Sequence, residues 1–424
     1  MTSTPIAAGL DRILTTPIEA RNWPRSPITI SEIREAGWHL EDLWLPSAVL
    51  YEEALTHNIA RFAAWCRERG MAHAPHGKTP MAPQLWHRQL AAGAWGITAA
   101  SAAQARSMIE HGVTRILLAN EVIQPVQARW LADAHAAYPD LLCLSLVDSS
   151  AGVAVLEEAS AQAGTQLPVL VELGVAGRRT GVRSVAEALE LAEEVHRSPH
   201  LRLQGLEGYE GVLPQKRDER SVADASAWLE AFGEVARRLD EAGLFEGLDE
   251  VVLTIGGSGF PDLAADALAG VVAQGLSVPV LPIIRAGAYV THDHRYYDGN
   301  SPLRSTADAD PLTPAMPLFA QVSSTPEPGR ALLNAGKREM PIDIDLPFVL
   351  RARRADGTWY EPEGVRITEL ADHHAFVEDL DSVLEIGELV EVGMSHPCTV
   401  FDKWRLIPVV DGDLRVVDAV ATLF

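Results

Sequence analysis

The 424-residue sequence predicts an α/β fold: an eight-stranded parallel barrel ringed by helices, followed by a second, mostly β domain. Three observations point to it. From Leu50 to Gly287 short aliphatic or β-branched runs alternate with longer stretches of helical period, as repeated βα units do. Those runs number eight, the count that closes a barrel. Beyond Gly287 a stretch rich in Pro, Ser, Thr and Asp, 300–328, gives way to short alternating segments.

In chain order the expected barrel strands are 72–76, 96–99, 115–119, 141–147, 169–173, 203–208, 251–255 and 280–285, each too short for a stable helix. Between them amphipathic stretches at 56–69, 102–110, 185–196 and 223–242 would form the outer ring. The last carries Trp228, Leu229, Phe232, Val235 and Leu239 at three- and four-residue spacing. An open doubly wound sheet uses the same alternation, and the strand count favours closure over it. In the second domain strands are expected at 331–334, 348–351, 365–369, 374–377, 389–392, 404–410 and 414–420. The domain reading is therefore an arm over 1–45, part of it joining the β-domain, a barrel over 46–300, and a β-domain over 301–424.

Charge narrows the partners. With 35 Lys+Arg against 58 Asp+Glu the formal charge is −23, which argues against capture of nucleic acid or anionic lipid, since both require a basic face. No apolar run approaches the roughly 18 residues that cross a bilayer. Residues 1–23 lack the basic start and apolar block of a signal peptide. Three cysteines, Cys66, Cys143 and Cys398, are too few and too scattered for a disulfide framework, so the cytoplasm is the expected compartment.

Lysine is scarce: only Lys78, Lys216, Lys337 and Lys403 occur. Lys78 stands where an apolar strand gives way to a loop, which in a barrel is the catalytic rim. Desolvated there, a lysine loses its proton more readily and attacks carbonyls to form a Schiff base; the competing reading is a rim ion pair. Gly256-Gly257-Ser258-Gly259 follows the seventh strand and precedes a helix, so its backbone N–H groups could hold a phosphate, or could simply make a tight turn. His396 and Cys398, two apart, place an imidazole and a thiol on one side of an extended segment, a donor pair suited to Zn²⁺, although such a pair is also met as a loop histidine beside a buried thiol. His292 and His294 make a second candidate pair. Arg178 and Arg179 after strand five are anion-binding candidates, and Tyr209 and Tyr289 are expected to face the rim.

Together these pieces resemble the D-serine dehydratase and D-threonine aldolase family of pyridoxal-phosphate enzymes, with the alanine-racemase-like fold (fold type III), over roughly residues 47–419. The family's Pro-His-x-Lys-Thr motif reads Pro75-His76-Gly77-Lys78-Thr79 here, and its Gly-x-Gly-Arg-x-Gly-Val segment reads Val175-Ala176-Gly177-Arg178-Arg179-Thr180-Gly181-Val182. An acidic residue common just upstream is Gly174 in this chain. Its Arg-x-Gly-x-Tyr segment matches Arg285-Ala286-Gly287-Ala288-Tyr289, and its C-terminal His-x-Cys or His-x-Asp pair matches His396 and Cys398. The branch described as amino-acid deaminases looks closest.

The resemblance implies that Lys78 carries pyridoxal 5′-phosphate and removes the α-proton, with His76 beside it as a second catalytic residue. Gly256, Gly257, Ser258 and Gly259 would cup the phosphate, and Arg179, Tyr209 and Tyr289 would contact the cofactor. His396 and Cys398 would hold a divalent metal, zinc before manganese or magnesium. It further implies a homodimer and a D-3-hydroxy amino acid substrate, with dehydration favoured by cysteine at the second metal position. The alternatives are retro-aldol cleavage to glycine and an aldehyde, and, from another class, a cofactor-free metal hydrolase built on His73, His76, His292 and His294. A cofactor-storage protein would have no use for the metal pair.

Overall fold

Eight parallel strands form one sheet whose two edges meet. They are β1 (Ala72–His73), β2 (Ile97–Ala99), β3 (Arg115–Glu121), β4 (Leu142–Val147), β5 (Leu167–Leu173), β6 (Leu201–Gly208), β7 (Val251–Ile255) and β8 (Val280–Ile284), in the order β1-β8-β7-β6-β5-β4-β3-β2. An isolated parallel bridge, His76 to Thr98, joins β1's continuation to β2, with Thr98 N–H donating to Pro75 O at 2.9 Å and Gly77 N–H to Thr98 O at 2.8 Å. That join closes the ring and excludes the open sheet. This computed structural model describes residues 21–424 and the backbone of the two-residue strand Ile13–Leu14; the rest of the 1–45 arm's start, including most of the segment judged unlike a signal peptide, lies outside the described residues.

All eight expected strands are present, with ends shifted by up to a few residues. Strands buried on both faces need apolar side chains on both, which is why they read as unbroken runs. Leu144, Leu146, Leu170, Val252 and Ile283 fill the barrel interior with Ala74, and a larger cluster lies between strands and helices. The outer helix Glu219–Glu241 buries Leu229, Phe232, Val235 and Leu239 on the face that the spacing predicts, and Asp218 caps its N-terminus by accepting from Ser221 N–H.

The C-terminal β-domain is mostly antiparallel. Its main sheet contains β9 (Leu318–Glu327), β10 (Gly329–Leu333), β11 (Phe348–Arg353), β12 (Trp359–Tyr360), β13 (Arg366–Leu370), β14 (Ala375–Asp379) and β15 (Leu389–Gly393), in the order β12-β11-β15-β9-β10-β14-β13. The central β9 is a departure from the sequence reading, which treats 300–328 as irregular. Leu318, Phe319, Ala320 and Val322 are buried, but Thr325-Pro326 and the polar tail mask the strand in composition. A smaller sheet pairs β16 (Leu406–Val410) with β17 (Val416–Ala421). Ser47–Ala48 pairs with β9 and Leu50–Tyr51 with β16, so residues just past the line drawn at 46 belong by hydrogen bonding to the β-domain's sheets. This strand exchange, with His294 N–H donating to Met394 O at 3.4 Å, seats the β-domain on the barrel's C-terminal rim. No helix among the described residues is long and apolar enough to cross a membrane.

Candidate active site

The rim of the barrel and the loop after β15 enclose a cavity of about 230 Å³. Lys78 reaches it because the chain leaves β1, bridges to β2, and turns at Gly77. A Cβ on Gly77 would stand 2.6 Å from both Ile97 Cγ2 and Met108 Cε, so only glycine lets the turn press this closely on β2 and the helix behind it. Trp86 Nε1–H fixes the turn by donating to Gly77 O at 3.1 Å. Burial lowers the Lys78 pKa; Cys398 opposes this, and Arg179 and Arg285 reinforce it. Burial, with the charges of Lys78 and Arg285, holds His76 well below its ordinary value, so its imidazole is neutral.

Gly256, Gly257 and Ser258 line the cavity after β7. A Cβ on Gly256 would lie 2.7 Å from Arg285 Nε, and one on Gly257 would lie 1.9 Å from Glu210 Oε1. Helix Pro261–Gln274 follows, with no side chain capping its first turn. Gly259 does not line the cavity: its carbonyl accepts from Arg217 Nη2 at 2.8 Å, and Gln215 covers its Cα.

Arg179 and Tyr209 face the cavity together, the guanidinium 5.0 Å from the ring centroid. Burial pushes the Tyr209 hydroxyl up to about 12. Beside them sits a buried ion pair that the sequence reading leaves unassigned: Arg285 at the end of β8 contacts Glu207 on β6, and Arg285 Nη2 donates to Gly208 O at 2.7 Å. Burial pushes the Glu207 carboxyl up, to about 7, while Arg285 pulls it down. Tyr297 also lines the cavity, its hydroxyl held far above the ordinary tyrosine value by burial and by Cys398.

Across from Lys78 the β-domain contributes His396 and Cys398. Cys398 starts the single-turn helix Cys398–Phe401, and Thr79 Oγ1 stands 3.2 Å from its Sγ. The lysine loop and the His-x-Cys loop therefore touch. His396 has φ 61°, hydrogen-bonds to Cys398 and contacts Asp343 through Nδ1. Those contacts raise its pKa to about 9, the hydrogen bond to Cys398 first among them.

Tyr289 is a correction to the expected rim. It sits on the short 3₁₀ turn Ala288–Val290, stacks on Phe62 at 4.3 Å, accepts from Gln89 Nε2 at 2.8 Å, and belongs to the core rather than to the cavity lining. The four histidines of the hydrolase alternative do not converge either. His73 is buried, with Nε2 3.3 Å from Ala286 O; His292 is 3.5 Å from Asp298; and His294 lies edge-on to Phe348. Among the described residues the one group of three or more ligand-type side chains with mutually close atoms is Glu121, Asp148 and Glu172, within 4.8 Å of one another at the ends of β3, β4 and β5. Burial, and then a hydrogen bond and repulsion from Glu172, push Glu121 up to about 9. Polar residues at the ends of barrel strands were the available signal for Glu172 and Glu207; nothing local marks Asp343.

Residues 51–259 match the family described as alanine racemase, N-terminal domain, and residues 315–410 match the putative serine dehydratase domain. The chain belongs to that family of alanine-racemase-fold pyridoxal-phosphate lyases. A 3-hydroxy-D-aspartate aldolase of Paracoccus denitrificans is 25% identical over 370 residues, covering 86% of this chain and 89% of its own. A D-threonine aldolase of Arthrobacter sp is 28% identical over 362 residues, covering 83% and 85%. The crystal structure of D-threonine aldolase from Filomicrobium marinum superposes with a TM-score of 0.76 at 27% identity, covering 91% of this chain and 97% of that one.

The residues present fit the family's cofactor. An amine with a lowered pKa, a glycine loop whose neighbours leave no room for side chains, and a helix start lie around one cavity. Arg285 Nε, Glu207 Oε2 and Glu172 Oε2 are buried there without protein partners, as polar atoms awaiting a polar ligand would be. The imidazole and thiol of His396 and Cys398 likewise fit a soft or borderline divalent cation.

Proposed function

We propose that the chain is a pyridoxal-phosphate- and divalent-metal-dependent lyase that eliminates the β-hydroxyl of D-3-hydroxy amino acids, yielding a keto acid and ammonia, with zinc preferred to manganese or magnesium. One observation carries this reading: Lys78 and the His396–Cys398 pair line the same cavity, and Thr79 bridges their loops. When bound, the cofactor supplies an electron sink at Cα and the cation a Lewis acid at the β-oxygen. Lys78 would hold the cofactor and serve as the base for the Cα proton, a role its lowered pKa suits because more of the amine is neutral near pH 7. His76, kept neutral beside it, can relay that proton. Gly256, Gly257 and Ser258 would hold the phosphate through their backbone, while Arg285, pinned by Glu207, and Arg179, against Tyr209, would orient the ring. His396 and Cys398 would hold the cation, which would supply Lewis acidity to the β-hydroxyl.

The named relatives are aldolases, which favours a second reading on the same residues: cleavage of Cα–Cβ to glycine and an aldehyde. Products from D-threonine and D-threo-3-hydroxyaspartate decide between them. Elimination gives ammonia with 2-oxobutanoate or oxaloacetate; glycine with acetaldehyde or glyoxylate sinks it. A protein with no borohydride-reducible chromophore on Lys78 sinks both. The same reading takes the enzyme as a cytoplasmic homodimer. Three free thiols suit a reducing compartment, and exposed Ile342, Ile344 and Leu346 suit coverage by a second copy.

A further inference from the structure

We infer that Asp343 is the positioning residue for the candidate metal pair: it fixes the ring orientation and tautomer of His396 and so sets how tightly the pair holds its cation. This rests on the metal reading above. Nδ1 of the imidazole meets Asp343 Oδ2, and a side-chain hydrogen bond ties the same ring to Cys398, which lines the cavity with it. A carboxylate is acceptor only, so Nδ1 carries a hydrogen, and Nε2 is the nitrogen left to meet a cation once its own proton is displaced. That is the tautomer a metal requires, with the second donor atom already adjacent.

Asp343 is itself held. Thr399 Oγ1 donates to its other oxygen, Oδ1, at 2.9 Å, and Thr399 directly follows Cys398 on the single-turn helix. The backbone of His396 is tied from the other side of the site. Its N–H donates to Asp293 Oδ2 at 3.3 Å, while Asp293 Oδ1 accepts from Arg295 N–H at 3.0 Å and Tyr297 N–H at 2.9 Å. Asp293 belongs to the loop after β8, so the barrel holds the main chain of His396 and the β-domain loop holds its ring. With the backbone pinned, rotation of the imidazole is the freedom left, and Asp343 removes it. Asp343 occupies Nδ1 and stands outside the cavity lining that holds His396 and Cys398, which makes it a partner of the ligand and not a third ligand. Outer partners of this kind change metal affinity by roughly 10–100-fold when lost.

The test uses the cofactor-loaded enzyme, stripped with a chelator and equilibrated by dialysis against graded Zn²⁺, with bound zinc measured by atomic emission. Wild type is expected to bind one zinc per chain, and His396→Ala and Cys398→Ala to lose it. Asp343→Ala is expected to bind about 10–100-fold more weakly at an unchanged melting temperature. Asp343→Asn, whose amide oxygen still accepts from Nδ1–H, should fall between it and wild type, and Thr399→Val should weaken binding by a smaller factor. Wild-type affinity in Asp343→Ala overturns the inference and leaves the metal reading standing. Zinc uptake indifferent to His396→Ala and Cys398→Ala overturns both. Should Asp343→Ala not fold, the other two variants decide, and wild-type affinity in both overturns the inference.

Discussion

The barrel mouth and the His396 loop face one cavity but are built on different principles. At the mouth Glu172, Glu207, Tyr209, Gly256, Gly257 and Arg285 stand at or just past strand ends, on a frame closed by hydrogen bonds all the way round. The β-domain side rests on a single helical turn and a left-handed histidine, steadied by carboxylates from two distant segments, Asp293 and Asp343. A rigid ring is suited to a covalently held cofactor. A loop with few constraints of its own needs partners from elsewhere to place two ligand atoms.

The strongest way to break this comparison is Lys78→Ala. It should abolish the borohydride-reducible adduct and cut turnover by at least about 10³-fold, leaving zinc uptake near wild type, as read by absorbance, mass mapping and metal analysis. Cys398→Ala is the converse experiment. It should keep the cofactor spectrum while activity falls by about 10²-fold or more, and added Zn²⁺ should not restore it. If the spectrum disappears as well, cofactor retention depends on the β-domain side of the cavity and the two halves are not separable.

A third experiment concerns the frame. Arg285 and Glu207 are 3% and 2% exposed, so Glu207→Ala strands a buried guanidinium and should cost about 3–5 kcal/mol in chemical denaturation. Glu110→Ala, which removes an exposed partner of Arg106, should change stability by less than about 0.5 kcal/mol. Equal losses would show that the mouth is not preorganised by its buried pair.

The smallest expected effect is at Glu121. Its folded-state pKa is raised to about 9, so the folded state keeps a proton that the unfolded chain gives up near the ordinary glutamate value. Its contribution is therefore fully present at acid pH and declines as pH rises toward 9. Glu121→Gln should raise the melting temperature by about 2 °C at pH 8 and hardly at all at pH 5. A gain of the same size at both values would show that Glu121 is not the titrating member of its cluster.

Legibility followed the range of the physical signal. Barrel strands are short apolar runs because both of their faces are covered, and that pattern needs no knowledge of contacts. Lys78, the glycines at 256 and 257 and the His396–Cys398 pair, which line one cavity, stand out as candidates for a similar reason: each is a local arrangement of residue types with one chemistry. Where position depends on packing, sequence reading slipped. Tyr289 follows a strand end, as a rim residue would, yet the 3₁₀ turn carries its ring inward onto Phe62. The β9 strand is central and largely apolar at its start, but its polar, proline-bearing end obscured it.

The amino-acid order by itself determined the eight-fold alternation, the lone rim lysine and the donor pair near the C-terminus, because covalent spacing and side-chain chemistry are local quantities. The tertiary structure alone decided that Thr79 would touch Cys398, that Glu207 would bury itself against Arg285, and that Asp343, 53 residues before His396, would orient it. Those contacts depend on how strands and domains close in space. Chain closure brings together residues whose separation along the sequence carries no trace of their meeting.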